Sequence, residues 1–208
     1  MIWYQWIAII AFIICAIVLA SDLVKLIKLG NPKDLSRKQG NVPAAIKYSF
    51  TGAMSPMAKE SAYQHLPTYI GGLLYHMGTF LSLGLFIWFL INISLHAEMH
   101  VAIAIIFQII LWISALSGIL ILLKRIFKQE LRSLSGADDY ISNILTTLMQ
   151  IATALFILNT SNEAFYFIVM ALFFLWLPFG KTKHVLYFFA ARYHLGYFYG
   201  WRGTWPQK

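Results

Sequence analysis

The sequence predicts an all-α polytopic membrane protein of five transmembrane helices, with the N-terminus outside and the C-terminus in the cytoplasm. Three observations predict it. Of the 208 residues, 60% are hydrophobic and 12% charged, with a mean hydropathy of +0.69, whereas a soluble domain carries about a quarter charged residues. The apolar residues gather in five runs that approach or exceed the ~20 residues needed to cross a hydrocarbon core. All 16 Lys and Arg fall in connections that lie on one side of those runs. Such a chain is no soluble globular enzyme, disulfide scaffold or disordered binder. Its single cysteine, Cys15, sits inside the first run, so the chain alone can form no disulfide, cysteine-ligated iron–sulfur cluster or cysteine zinc site.

Taken in order, the first span covers about 2–21 and opens on Trp3, Tyr4 and Trp6, an interfacial belt. It lacks a basic leading region and a small-residue cleavage site, so a retained helix is expected rather than a signal peptide. The segment 22–64 contains Asn31-Pro32, Gly40, Pro43, Gly52 and Pro56 and no sustained apolar pattern. It reads as an irregular, partly ordered cytoplasmic loop, and its length suggests function or an interface. Spans follow at about 66–95, 101–123, 141–160 and 163–185, the last two extending a turn or more beyond their apolar runs. The tail 186–208 is basic and rich in Phe, Tyr and Trp. It fits an amphipathic helix at headgroup level or a docking site for a cytoplasmic partner. The basic residues divide among the first loop (Lys25 to Lys59), the connection after the third span (Lys124, Arg125, Lys128, Arg132) and the region from Lys181 onward. The positive-inside rule places all three in the cytoplasm. The net charge of +8 is therefore a topology signal and not a nucleic-acid footprint. The chain reads as one domain without internal repeats.

The chemistry rests on histidines. Acidic residues are nearly absent from the spans, and no HExxH or HxxHH cluster occurs, which removes the usual intramembrane zinc and diiron enzymes. His76 lies within the second span, 10 residues past Leu66, and His184 lies 20 residues past Ala164, about 30 Å along a continuous helix. Both then fall in or near the cytoplasmic third, on antiparallel neighbours. An ionisable residue inside a span is a functional hypothesis by default. Two neutral imidazoles at one level suit a six-coordinate haem b; the other reading is a histidine hydrogen-bonded to nearby backbone. Gly72 and Thr79 share the His76 face by helical register and leave room for a porphyrin. Lys181, Lys183 and Arg192 lie at the level that propionates would occupy.

Tyr75-His76-Met77-Gly78 with the following Thr79–Phe86, and Leu177-Pro178-Phe179-Gly180-Lys181-Thr182-Lys183-His184, resemble the second and fifth helices of the nitrate reductase gamma-subunit family of membrane cytochromes b. Leu122-Leu123-Lys124-Arg125 and Gly136-Ala137-Asp138 are similar to the ends of the intervening helices, so the resemblance covers all five spans. It implies a membrane anchor with b haems, in which the cytoplasm-side ligand pair carries over to His76 and His184. The family's distal pair would fall on Phe86 and Tyr166, neither a credible haem ligand, so the resemblance implies one haem where the family pattern has two. The stretch Lys59-Glu60-Ser61-Ala62-Tyr63-Gln64-His65-Leu66-Pro67-Thr68-Tyr69 is similar to the branch partnered with heterodisulfide-reductase-like iron–sulfur subunits.

A second pair enters by spacing. His65 lies 11 residues before His76 and His194 10 residues beyond His184, about 15 Å further along each helix. They are candidates for a second, cytoplasm-side haem; the alternative is a helix-entry residue and an interfacial one. His96 and His100 share the outer loop with Glu98, either as solvated polarity or, at His100, as a quinol-side base. Tyr69 or His65 could instead border an inner quinone site.

The expected function is a haem b-containing anchor subunit in the cytoplasmic (inner) membrane. It passes electrons between membrane quinone and a cytoplasm-facing iron–sulfur subunit, beside other membrane subunits and without nucleic acid. It is a part of an oxidoreductase rather than a complete enzyme. The alternatives are a haem-free structural anchor and a small transporter, the latter disfavoured by the lack of internal symmetry and of intramembrane acids.

Overall fold

Long apolar helices dominate a computed structural model of the chain, which describes residues 2–30, 35–58, 62, 64–91 and 100–206. Among the described residues every regular element is helical. In order they are α1 (Trp3–Lys28), α2 (Val42–Phe50), α3 (Leu66–Ile91), α4 (Val101–Phe127), α5 (Gln129–Ser133), α6 (Ala137–Leu158), α7 (Glu163–Trp176) and α8 (His184–Trp201), with short 3-10 turns between some of them. Helices α1, α3, α4 and α6 are each long and apolar enough to cross a membrane. A fifth span results only if the pieces on either side of the break after Trp176 count as one. His96, Glu98, Lys33 and Lys59 lie outside the described residues.

The chain divides into two compact units, one of residues 1–16 and 67–182, the other of 17–66 and 183–208. In the first, α3, α4 and α6 meet along a seam of small and polar residues. Bilayer lipid supplies no hydrophobic drive for helix pairing, so close backbone approach and interhelical hydrogen bonds must do it. A Cβ on Gly78 would strike Ser114, and one on Gly118 would strike the Tyr75 ring and Thr147. Ser114 Oγ donates to Tyr75 O at 3.1 Å and Ser117 Oγ to Gly71 O at 2.7 Å. The Tyr75 hydroxyl donates to Asn143 O at 2.9 Å. Gln150 is fully buried, and its Nε2 donates to Tyr75 O at 3.0 Å and to Thr79 Oγ1 at 2.9 Å. On α6 the seam is a polar stripe, Asn143, Thr147, Gln150, at helical spacing on an otherwise apolar element. Toward the far end of α6 the packing becomes aromatic. Phe86, Phe89, Phe156, Tyr166, Phe167 and Phe174 are buried, with centroids of 4.8 Å for Phe86–Phe174 and for Phe156–Tyr166, and Phe12 of α1 closes on Phe174 at 5.1 Å.

The fifth apolar run differs from the expected 163–185 helix. Helix α7 stops at Trp176, 14 residues long, about 21 Å. Pro178 follows, and a Cβ on Gly180 would strike the Trp176 indole. The turn is then fastened to the start of α6. Trp176 Nε1 donates to Ser142 Oγ at 2.9 Å, Lys181 N donates to Asp138 Oδ1 at 2.9 Å, and Lys181 Nζ pairs with Asp139 at 2.6 Å. Arg125 adds a second cation on Asp139 at 3.1 Å.

In the other unit the segment 22–64 is more regular than its sequence suggests. Helix α1 runs on to Lys28 and ends at Gly30, whose φ of 68° is the left-handed conformation a helix C-terminus favours. Asn41 caps α2 by accepting from Ala44 N, with Pro43 in the first turn. Helices α2 and α8 then pack closely because α8 presents Gly196 and Gly200. A Cβ on the first would meet Ile46 Cα at 2.6 Å and one on the second Ala45 Cβ at 2.5 Å. Ser49 Oγ donates to Arg192 O at 2.7 Å across this contact. Gln39 N donates to Trp201 O, and Trp201 Nε1 to Ser36 O, each at 2.8 Å. The expected interfacial tail is thus a helix held by the loop before it.

Candidate functional site

His76 is exposed on α3, between the seam residues Tyr75 and Thr79 in sequence. Its Nδ1 is 2.7 Å from Gly72 O, one turn back on the same helix. A carbonyl oxygen only accepts, so Nδ1 carries a proton and donates, and Nε2 is the ring nitrogen turned away from this bond. Fixing the tautomer by a backbone carbonyl is how proteins aim an imidazole at a metal. Beside it, a Cβ built on Gly72 would meet nothing within 4 Å, so this face of the helix is open where a flat macrocycle needs clearance. The residues around His76 are compatible with a haem: an imidazole beside the open space at Gly72, with the Phe80 ring centroid 6.3 Å away.

Thr79 behaves otherwise. Its hydroxyl donates to Tyr75 O at 2.8 Å and accepts from Gln150 Nε2, which draws it toward the seam. Lys181 is held by Asp138 and Asp139 as described. Asp139, in the first turn of α6, is held by the Lys181 ammonium, the Gly136 N–H and Arg125. Tyr69 is half-buried one turn into α3. His100 caps α4, its Nδ1 accepting from Ala102 N at 3.3 Å. That role explains a histidine at this position without a quinol.

Within the second unit His184 is the first residue of α8 and is exposed. Lys183, just before it, pairs with Asp22 and lies 5.6 Å from the Tyr187 ring centroid. Arg192 packs over the Phe188 ring at 5.7 Å and donates to Met54 Sδ. His65 is exposed immediately before α3, and His194 is exposed on α8 beside Tyr193. Among the described residues no group of three or more His, Cys, Asp or Glu gathers to hold a metal ion.

Phe86 and Tyr166 are the positions onto which the resemblance puts a second ligand pair. Phe86 and Tyr166 are both fully buried within the aromatic cluster, and the Tyr166 hydroxyl has no hydrogen-bond partner among the described residues.

The sequence reading missed two features. The Gln150 seam was visible as the polar stripe along the fourth run, and the α2–α8 contact as Gly196-Tyr197-Phe198-Tyr199-Gly200, a pair of glycines four apart. Comparison with known proteins finds no family model that matches the chain, no similar curated protein and no similar solved structure.

Proposed function

We propose that this chain is the membrane cytochrome b subunit of a quinone-linked redox complex in a cytoplasmic membrane, carrying one haem b on His76 and His184. The observation that carries the reading is the open space beside Gly72 on the side of α3 that bears His76; the bond from His76 Nδ1 to Gly72 O is compatible with a haem ligand and is also the bond a haem-free histidine would make. The resemblance of Tyr75–Phe86 and Leu177–His184 to the nitrate reductase gamma-subunit family supports the same pair. A bound haem b would supply one-electron transfer. Of the chain's own residues, Gly72 O would orient the His76 imidazole, and Lys181, Lys183 and Arg192 are the cations that would serve the propionates. The aromatic packing around Phe86 and Tyr166 supports one haem rather than two, with His65 and His194 the only other pair to consider. Quinone would exchange electrons at the inner side, near Tyr69, in preference to the His100 end.

The electron partner is an iron–sulfur subunit on the cytoplasmic face. The unit built from 17–66 and 183–208 offers the surface for it, since a stable interface needs on the order of 800 Å² per partner. The test is purification of the chain from its native membrane in mild detergent. An iron–sulfur protein is expected to copurify, and a quinol is expected to reduce a b-type chromophore in the preparation. A preparation with no quinol-reducible chromophore would favour the haem-free anchor.

A further inference from the structure

We propose that the seam between α3, α4 and α6 binds one internal water molecule, held by Gln150 Oε1, Ser82 Oγ and Ser114 Oγ. The starting point is the hydrogen bonding of Gln150, which is fully buried about 20 Å from the start of α6. Both hydrogens of its amide nitrogen are placed, one on Tyr75 O and one on Thr79 Oγ1. Its other polar atom, Oε1, has no partner among the described residues. The same holds for Ser82 Oγ on α3, which is also fully buried. Bulk solvent does not reach the interior of a spanning bundle, so an acceptor and a hydroxyl buried there each need a partner within the fold.

Their placement suits a single water. A Cβ on Gly78 would lie 3.5 Å from Gln150 Cδ and would strike Ser114 Oγ, so the Gln150 amide and the Ser114 hydroxyl meet over Gly78. Ser82 stands one turn further along the same buried face, four residues from Gly78 and three from Thr79. Side chains one turn apart on a helix are about 5–6 Å from each other. That is too far for a direct hydrogen bond, and it matches two bonds of about 2.8 Å laid end to end. Ser114 Oγ already donates to Tyr75 O, and a hydroxyl that donates still accepts.

In this arrangement Ser82 donates to the water, and the water donates to Gln150 Oε1 and Ser114 Oγ. Three hydrogen bonds are the usual complement of a buried water. A cation suits the place less, because three neutral oxygens bring no charge to offset its desolvation. The water completes the polar account of the seam and does not depend on the haem.

The experiment uses the full chain in a lipid bilayer, and its first readout is a structure at a resolution that shows ordered water. One isolated peak is expected within about 3 Å of both Ser82 Oγ and Gln150 Oε1. Ser82 donating directly to Gly78 O or to Gln150 Oε1, with no peak between them, would overturn the proposal. Magnetic resonance supplies a second readout at the Gln150 side-chain amide, whose protons border the site. Magnetisation transfer from water to that amide is expected in the parent. It should be lost in Ser82→Val, whose two methyl groups remove the donor and fill the water's place. Absence of transfer in the parent, or undiminished transfer in a Ser82→Val variant that keeps its helices by circular dichroism, would also overturn it. The structural readout needs no variant, so it decides the matter even where Ser82→Val fails to fold.

Discussion

His76→Ala and His184→Ala are each expected to abolish the b-type absorption of the purified protein, while the helical content stays that of the parent. Removing one axial nitrogen leaves a b haem, which has no covalent tether, without the ligand that holds it in place. The apo form should also melt earlier, since a cofactor present at about 100 times its dissociation constant adds ~2.7 kcal/mol to the folded state. A companion variant separates ligand loss from misfolding. A Cβ at Gly72 meets nothing within 4 Å, so the side chain of Gly72→Leu starts into open space, on the face where the macrocycle would rest. It should fold normally and take up little haem. His65→Ala and His194→Ala should leave the spectrum unchanged. A normal bis-imidazole spectrum in either His76→Ala or His184→Ala would remove that residue from the site.

The second large effect lies in the seam. Gly118→Leu drives a branched side chain into the Tyr75 ring and Thr147. Overpacking costs about 1–3 kcal/mol. Displacing Tyr75 also weakens its hydroxyl bond to Asn143 O and the two donations that its carbonyl accepts from Ser114 and Gln150, each worth roughly 0.6 kcal/mol in a membrane interior. A loss on the order of 3 kcal/mol in detergent unfolding is expected. Gly84→Leu is the control, because a Cβ there meets nothing within 4 Å. If the two variants unfold alike, the seam does not hold these helices together.

The four long spans were legible because hydrophobic length alone specifies a membrane helix. Helix α2 was not. Nine residues between Gly40 and Gly52 carry no sustained apolar period, and what stabilises them is the backbone of α8 at Gly196 and Gly200, a tertiary effect. Pro178 and Gly180 did announce the end of α7, but spanning helices tolerate both residues. It is the Asp138–Lys181 and Ser142–Trp176 bonds that turn a tolerated kink into a stop. His184 accordingly opens α8 instead of closing a long fifth helix. At the candidate site, register put Gly72 on the His76 face as open space, and the ring also reaches the Gly72 carbonyl four residues back, the backbone bond that the haem-free reading expects. The Thr79 hydroxyl, three residues on, is engaged by the amide of Gln150 on another helix, a tertiary contact that register does not show.

The stoichiometry of haem to polypeptide, by pyridine haemochrome assay on the purified chain with protein quantified by amino-acid analysis, tests the central claim most directly. With Phe86 and Tyr166 sealed in the aromatic cluster and one imidazole pair at His76 and His184, the account predicts one haem b per chain. Two haems would bring His65 and His194 back as ligands, and none would contradict the cytochrome reading outright.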